Sequence, residues 1–333
     1  MFFLLTCSLV VFDDSAIVSR MTPVLTMPTV SCTPEELETV RSWFRESVEE
    51  TPDLFDAADV SKVESDDWTV KRYIGSKKHN LEEASAALIK AMKWRKAMDV
   101  SSIKATDFPT EFFWTGECHE YVRDKNNCAM VYCRVKYHRP LTEFLPISKR
   151  FLIYMMEKKE EEVRDGANGW ALIYDCSGGT IFNNNMDILF FMIEAIFEYY
   201  PMSLTYVGLY ELPWVMRAIY HICRGWIPEE FRNVLHFLNS STIVEYVGKD
   251  HLPDYLKGTC PKSERIRVPG TVSIKEFSIK NNIKESAVNK FFSHYQRYLD
   301  LGDQREQEDR EKDCSSLSVI SVNNNTSPIL TSA

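Results

Sequence analysis

The chain has 333 residues, 44% hydrophobic and 26% charged, a globular balance in a chain long enough to bury a sizeable core. Its net charge of −9 and pI of about 5.4 exclude nucleic acid as the main partner, because neutralising phosphates needs a clustered basic surface. Any membrane contact has to come from a local basic patch. The nine cysteines are an odd number, irregularly spaced and without a CxxC. They read as free, mostly buried thiols of a reducing compartment. Cys128, Cys133 and His119 lie near one another in sequence but lack zinc-finger spacing and a fourth ligand.

The first twelve residues are apolar but too short to span a bilayer, and lack the basic n-region of a secretion signal. Residues 1–33 therefore read as an unstructured leader, with Met21 and Met27 as alternative starts. Secretion is the lesser alternative to a cytoplasmic protein. Thr33-Pro34-Glu35-Glu36 is a helix start, with a Thr cap, Pro at the first position and Glu three residues on. That helix is expected to run to about Glu50. Asp66-Asp67-Trp68 opens a short helix and Asn80-Leu81-Glu82-Glu83 a longer one, where Leu81, Ala84, Leu88, Met92 and Arg95 keep helical spacing. Residues 34–105 thus form a helical subdomain.

After Pro109 the pattern alternates. Residues 128–135 read as a strand, 148–163 as a helix, 170–175 as a strand and 186–200 as a strongly apolar helix stopped at Pro201. Residues 204–210 read as a strand, 214–227 and 229–238 as helices, and 242–247 as a short strand or helical turn. Strands alternating with helices imply an α/β domain with a largely parallel sheet. From Pro261 the order is lost. Residues 284–300 can form one amphipathic helix carrying Val288, Phe291, Phe292, Tyr295 and Tyr298, and 301–333 read as disordered.

Motifs for chemistry are scarce. Asp175 ends a strand, where α/β catalysts often keep a functional group. Yet GxSxG, HExxH and a phosphate-cradling GxxxxGK[ST] are all missing, and capping the turn at Ser177-Gly178-Gly179 accounts for the residue. The seven histidines are scattered without ligand spacing. No catalytic residue, cofactor or metal is expected. Glu111-Phe112-Phe113-Trp114 loosely resembles an acidic two-phenylalanine adaptor motif, without its acidic fourth residue. The most informative segment is 214–227. Arg217, His221 and Arg224 form one basic stripe on a helix otherwise apolar nearly all round, the pattern of a buried helix or of one lying at a membrane interface.

The order of these elements resembles the CRAL-TRIO (Sec14-like) lipid-binding proteins over roughly residues 34–260. Val70-Lys71-Arg72-Tyr73-Ile74 and Trp94-Arg95 resemble the family's N-terminal signature. Ile173-Tyr174-Asp175-Cys176-Ser177-Gly178 resembles its strand ending Asp-x-x-Gly. Tyr199-Tyr200-Pro201, Leu212-Pro213-Trp214 and the closing Leu252-Pro253-Asp254-Tyr255-Leu256-Lys257-Gly258 follow in family order. Arg134-Val135-Lys136-Tyr137-His138, Pro213-Trp214-Val215-Met216 and the close at Cys260-Pro261 are most similar to the CRAL-TRIO part of motile sperm domain-containing proteins. The chain departs from the family at Asp124-Lys125-Asn126-Asn127, where Asp-x-x-Gly is usual, and at Arg224-Gly225-Trp226-Ile227.

The resemblance implies a mixed α/β lipid domain over 106–262, bracketed by the helical subdomain and followed by an extension. It implies one hydrophobic ligand or phospholipid in a buried pocket, carried to or presented at a transient membrane surface, with 214–227 as a mobile lid. Alternation places Trp170, Leu172 and Tyr174 on one strand face, expected to line the pocket. Met192, Ala195, Ile196 and Tyr200 recur at helical spacing, and Val207 and Leu209 join from the next strand. From the lid come Met216, Ile219, Tyr220, Cys223 and Ile227, with Arg217, His221 and Arg224 toward the membrane. The alternative is a non-transporting interaction module of the same fold. The lipid's headgroup and any protein partner are not legible in the sequence.

Overall fold

The computed structural model describes residues 29–323, so the leader's first 28 residues and the last ten of the chain lie outside the described residues. The N-terminal helices begin at side chains that satisfy free backbone N–H groups. Thr33 and Glu36 form a capping box on α1 (Pro34–Glu50). Asp56 caps α2 (Ala57–Ser65), Asp66 caps α3 (Asp67–Ser76) and Asn80 caps α4 (Leu81–Ala97). Their apolar faces meet through Val40, Phe44, Val63, Val70, Ile74 and Leu88, all fully buried. Helix α2 falls in a stretch where the sequence reading places no separate helix.

The sheet has five strands in the order β1 to β5. β1 (Cys118–Tyr121) runs antiparallel to β2 (Ala129–Arg134). β3 (Trp170–Asp175), β4 (Leu204–Tyr210) and β5 (Leu235–Leu238) then continue parallel. β5 corrects the helix expected over 229–238: a 3-10 turn spans Glu229–Val234 and the strand follows. Four residues are too few to set a period, and pairing with Val207–Tyr210 decides the conformation. At the β1–β2 turn Asn127 stands where the resembled family has Gly. It takes φ +62°, a left-handed conformation that Asn tolerates. The Asp124 carboxylate ties the turn by accepting from the N–H groups of Asn126 and Cys128.

One sheet face carries Met130, Tyr132, Ala171, Ile173 and Tyr206, covered by α9 (Thr242–Val247) and by Leu252 and Leu256. The close of that cover is constrained: Lys257 has φ +62° and a Cβ on Gly258 would meet the Leu252 carbonyl oxygen at 1.9 Å. The other face, with Val131, Leu172 and Val207, lies in a core cluster with residues of α6 (Leu145–Arg164) and α7 (Met186–Glu194). α7 runs on through a wide π-helical turn over Ala195–Tyr199. α8 spans Arg217–Trp226.

The C-terminal extension is ordered beyond expectation. α5 (Thr110–Trp114) and α10 (Ile274–Lys280) precede α11, which starts at Glu285 and runs to Asn323 rather than stopping at 300. Long-range ties hold the helix beyond residue 300 as far as Glu306. Arg265, 6% exposed, donates to the carbonyls of Trp114, Thr115 and Tyr298. The Trp114 indole donates to Asp303 at 2.9 Å, and Arg267 reaches Asp303 and Glu306. Phe113 and Trp114 are buried, so the adaptor-like segment is part of the core.

The residues of the N-terminal signature join the helical subdomain to the sheet. Arg72 donates to Glu160 at 2.7 Å, to the Pro201 carbonyl and to Ser203, each at 2.8 Å. Arg95 bridges Asp59 at 2.9 Å and Glu157 at 2.7 Å, and Trp94 stacks on Tyr199 at 4.1 Å. A buried ion pair that loses one partner leaves an uncompensated charge. Replacing Arg72 by Ala should therefore cost about 3–5 kcal/mol in urea unfolding; a loss below about 1 kcal/mol would mean that other contacts hold the joint. Burial pushes the Glu157 carboxyl up, but Arg95 outweighs it and holds the group at about 2. Its ordinary value is 4.5, so the stability it adds is complete above that pH and is lost as pH falls toward 2. Glu157→Gln should flatten this acid arm of the stability curve, measured by denaturation at stepped pH.

Candidate functional site

Between the β3–β4 face and α8 the core does not close. Leu172, Tyr174, Val207 and Leu209 form the floor, and Met192 and Ile196 of the helix before Pro201 form one wall. Met216, Ile219, Tyr220, Cys223 and Ile227 form the cover. About 740 Å³ of non-atom space lies among them, some of it open to solvent. The walls are almost wholly apolar, which suits a chamber that gains by taking in hydrocarbon. Burial pushes the Cys223 thiol up to about 11 and Tyr174 well above its ordinary range, so both stay neutral.

The cover is pinned at its ends. Met216 and Ile227 are buried, while no residue of α8 itself is. Arg217, His221 and Arg224 are exposed on the outer side, though Arg224 also touches the chamber rim. On the same segment stand Trp214 at 80% exposure and Ile222 at 50%. Phe190 meets Trp226 edge to face, and Phe237 meets Tyr220 in the same way, so the rim is aromatic.

Three expected lining residues are elsewhere. Trp170 lies at the start of β3, before a register shift, and its indole donates to Glu160 at 3.3 Å. Ala195 is fully buried in the core shared with the N-terminal helices. Tyr200 follows the π turn, which breaks the 3.6-residue phase, and its hydroxyl donates to Glu157 at 2.6 Å. Leu189, Ile193, Phe197, Leu212 and Leu235 line the chamber and were not singled out. The first three share the apolar helix with Met192 and Ile196, and only the packing distinguishes them.

A second chamber adjoins the first through Tyr174, Leu189 and Met192. It holds about 1010 Å³ of non-atom space, again partly open. Phe151 and Leu152 of α6 and Phe291 and Tyr295 of α11 are among its walls. It also carries polar groups: Glu117, His138, Arg134 and Arg139. His138 Nδ1 lies 2.6 Å from Glu117 Oε1, and the Tyr295 hydroxyl donates to Glu117 Oε2 at 2.7 Å. Burial opposes both charges, yet the pair overrides it: the carboxyl is held below its ordinary range and the imidazole above. These three residues come from points 21 and 178 positions apart, a juxtaposition that no local pattern signals.

Asp175 is 1% exposed and caps its own turn, accepting from the Ser177 N–H at 3.0 Å. His119 stacks on Tyr132 on one sheet face, and burial with Arg134 nearby lowers it to about 3. Cys133 points to the opposite face, where its sulfur lies 3.4 Å from that of Cys118, so Cys128, Cys133 and His119 do not gather around a common point. Far from the chambers, Cys32, Glu36 and His79 bring ligand-type atoms within 4.8 Å of one another. Glu36 is already engaged there by the Thr33 N–H and by His79. Among the described residues no helix is long and apolar enough to cross a membrane.

Comparison with known proteins finds a likeness of fold and a partial sequence match. The chain is 23% identical over 214 residues to a CRAL-TRIO domain-containing protein of Schizosaccharomyces pombe, covering 61% of this chain and 48% of that one. It is 21% identical over 136 residues to the phosphatidylinositol transfer protein CSR1 of Eremothecium gossypii, covering 40% and 31%. The chain thus spans less than half the length of these relatives. The crystal structure of Sfh5 superposes with a TM-score of 0.53 at 14% identity, covering 76% of this chain and 98% of that one, which is a likeness of fold. The family model described as the CRAL/TRIO domain matches residues 117–258 of this chain, from Glu117 through all five strands to Gly258.

Proposed function

We propose that the protein binds one hydrophobic lipid in the paired chambers and carries or presents it at a membrane, with α8 as the moving cover. The observation that carries this reading is the apolar chamber between the sheet and α8. A helix none of whose residues is fully buried, and whose buried anchors Met216 and Ile227 lie at its two ends, can swing without dismantling the core. Burial of an acyl chain at roughly 25 cal/mol per Å² supplies affinity without any specific contact. The transfer of phosphatidylinositol named for the Eremothecium relative supports a phospholipid among the candidates.

The docking face follows from the rim. Trp214 and Ile222 expose apolar surface beside Arg217, His221 and Arg224, the mixture that settles into a headgroup layer. On a chain of net charge −9, this stripe is the local attraction an anionic surface needs. A reducing, cytoplasmic setting fits the free cysteines among the described residues. The segments 134–138 and 213–216 favour a likeness to the motile sperm domain-containing branch of the family.

Two measurements test the reading. Replacing Leu172 or Ile196 by Trp fills the chamber floor or wall, and should abolish the lipid found by native mass spectrometry and organic extraction while circular dichroism stays unchanged. A wild-type protein that carries no lipid and takes none from vesicles would leave the interaction-module reading. Reversing Arg217 and Arg224 to Glu should weaken sedimentation with phosphatidylserine-containing vesicles roughly ten- to a hundredfold, at about 1 kcal/mol for each basic group near the surface; unchanged binding would remove α8 as the docking element.

A further inference from the structure

The two chambers are chemically unlike. The one beneath α8 is lined mostly by hydrocarbon and aromatic rings, whereas the adjoining one holds a polar trio in its wall. In that trio every polar atom but one is engaged. Glu117 receives His138 on one oxygen and Tyr295 on the other. The Tyr295 oxygen in turn accepts the Arg139 N–H at 3.1 Å. His138 Nδ1 is used, and its Nε2 is buried without a hydrogen-bond partner among the described residues. A buried ring nitrogen left in this way costs free energy unless a ligand or water meets it.

The opposite ring nitrogen faces Glu117, which leaves Nε2 as the trio's one unpartnered atom, on a residue that lines the chamber. The Glu117 carboxylate, held charged by its two donors, favours an imidazolium whose Nε2–H is a donor. Charged donors in a mostly apolar lining, Arg134 and Arg139 as well as His138, match an anionic lipid end. Exposed Arg139, also on the chamber wall, offsets the second negative charge that such an end brings.

We propose that the Glu117–His138–Tyr295 trio receives the carboxylate of a single-chain lipid, with His138 Nε2–H donating to it and the chain passing the Tyr174–Leu189–Met192 waist into the apolar chamber. This rests on the lipid-binding reading above and deepens it. It also gives the C-terminal helix a part in the site: Tyr295 and Phe291 belong to α11, outside the matched domain that ends at residue 258. Phe291 stacks on the Tyr295 ring at 4.5 Å, which fixes the hydroxyl over Glu117.

The test compares lipids that differ only at the polar end. Delipidated full-length protein is dialysed to equilibrium at pH 7 against radiolabelled oleate and, separately, oleyl alcohol. Wild type should prefer oleate about tenfold or more. In His138→Gln the amide can still face Glu117, but the charged second donor is gone. The ratio of oleate to oleyl alcohol affinity should fall ten- to a hundredfold, the range expected for a lost charged hydrogen bond. Tyr295→Phe, which keeps the ring stack, should move the same ratio by a smaller factor in the same direction. An unchanged ratio in His138→Gln overturns the assignment while leaving lipid binding intact. If wild type binds neither lipid, but takes up phospholipid from vesicles and loses it in Leu172→Trp, the single-chain assignment falls and the carrier reading stands. If wild type binds no lipid at all, both fall.

Discussion

Arg72 sits 5% exposed where three parts of the molecule meet. Its guanidinium reaches Glu160 of α6, the carbonyl of Pro201 and the hydroxyl of Ser203 just before β4. The other Glu160 oxygen takes the indole of Trp170 at the start of β3. One buried charge pair thus sets the spacing between the helical subdomain, the α6 layer and the N-terminal ends of two central strands. Once removed from water, such a pair tolerates little displacement, because separating the two charges leaves each uncompensated. The floor of the chamber is built on those strands, so its position is inherited from this joint. Arg95, bridging Asp59 and Glu157, adds a second tie on the same side.

With one end fixed so firmly, the opposite end is free to stay open. The sheet face toward α9 is sealed by Tyr132, Ile173, Tyr206 and Leu252. The other face is packed by α6 and α7 only as far as Val131, Leu172 and Val207. Beyond that the layer is completed by α8, whose inner residues touch the chamber and whose outer residues meet water. Interiors normally pack like organic crystals. A gap lined by Leu172, Ile196, Val207 and Ile219 therefore forfeits dispersion and solvent exclusion, and an apolar occupant restores both.

Much of this layout was legible from periodicity and from a few side-chain types. Alternation assigned Leu172 and Tyr174 to the cavity face, and the basic stripe marked the outer side of α8. The errors share a cause. Trp170 obeys the alternation, but a polar handle drew it to Glu160 at the bottom of the sheet. Tyr200 obeys helical spacing as counted, but the π turn at Ala195–Tyr199 shifted its phase toward Glu157. β5 is too short for a period, and its strand state is decided by pairing with β4. Glu117, His138 and Tyr295 belong to three separate stretches, and only tertiary packing brings them together.

The extension after residue 258 shows why fold and specificity part company in such a domain. The five strands and their covers account for a hydrophobic chamber, and any chain of the fold with enough apolar surface can form one. The second chamber depends on more. α11 is held by Arg265 in the carbonyls of Trp114, Thr115 and Tyr298, and by the Trp114 indole on Asp303. Gly302 permits that closeness, since a Cβ there would come within 2.7 Å of the indole nitrogen. These contacts fix the height of Tyr295 above Glu117, and Glu117 in turn orients His138. A shift of α11 by a fraction of a helical turn would leave Glu117 buried with one donor fewer and release the imidazole. The polar end of the cavity is thus set by packing that begins outside the domain, while its apolar end is set within it.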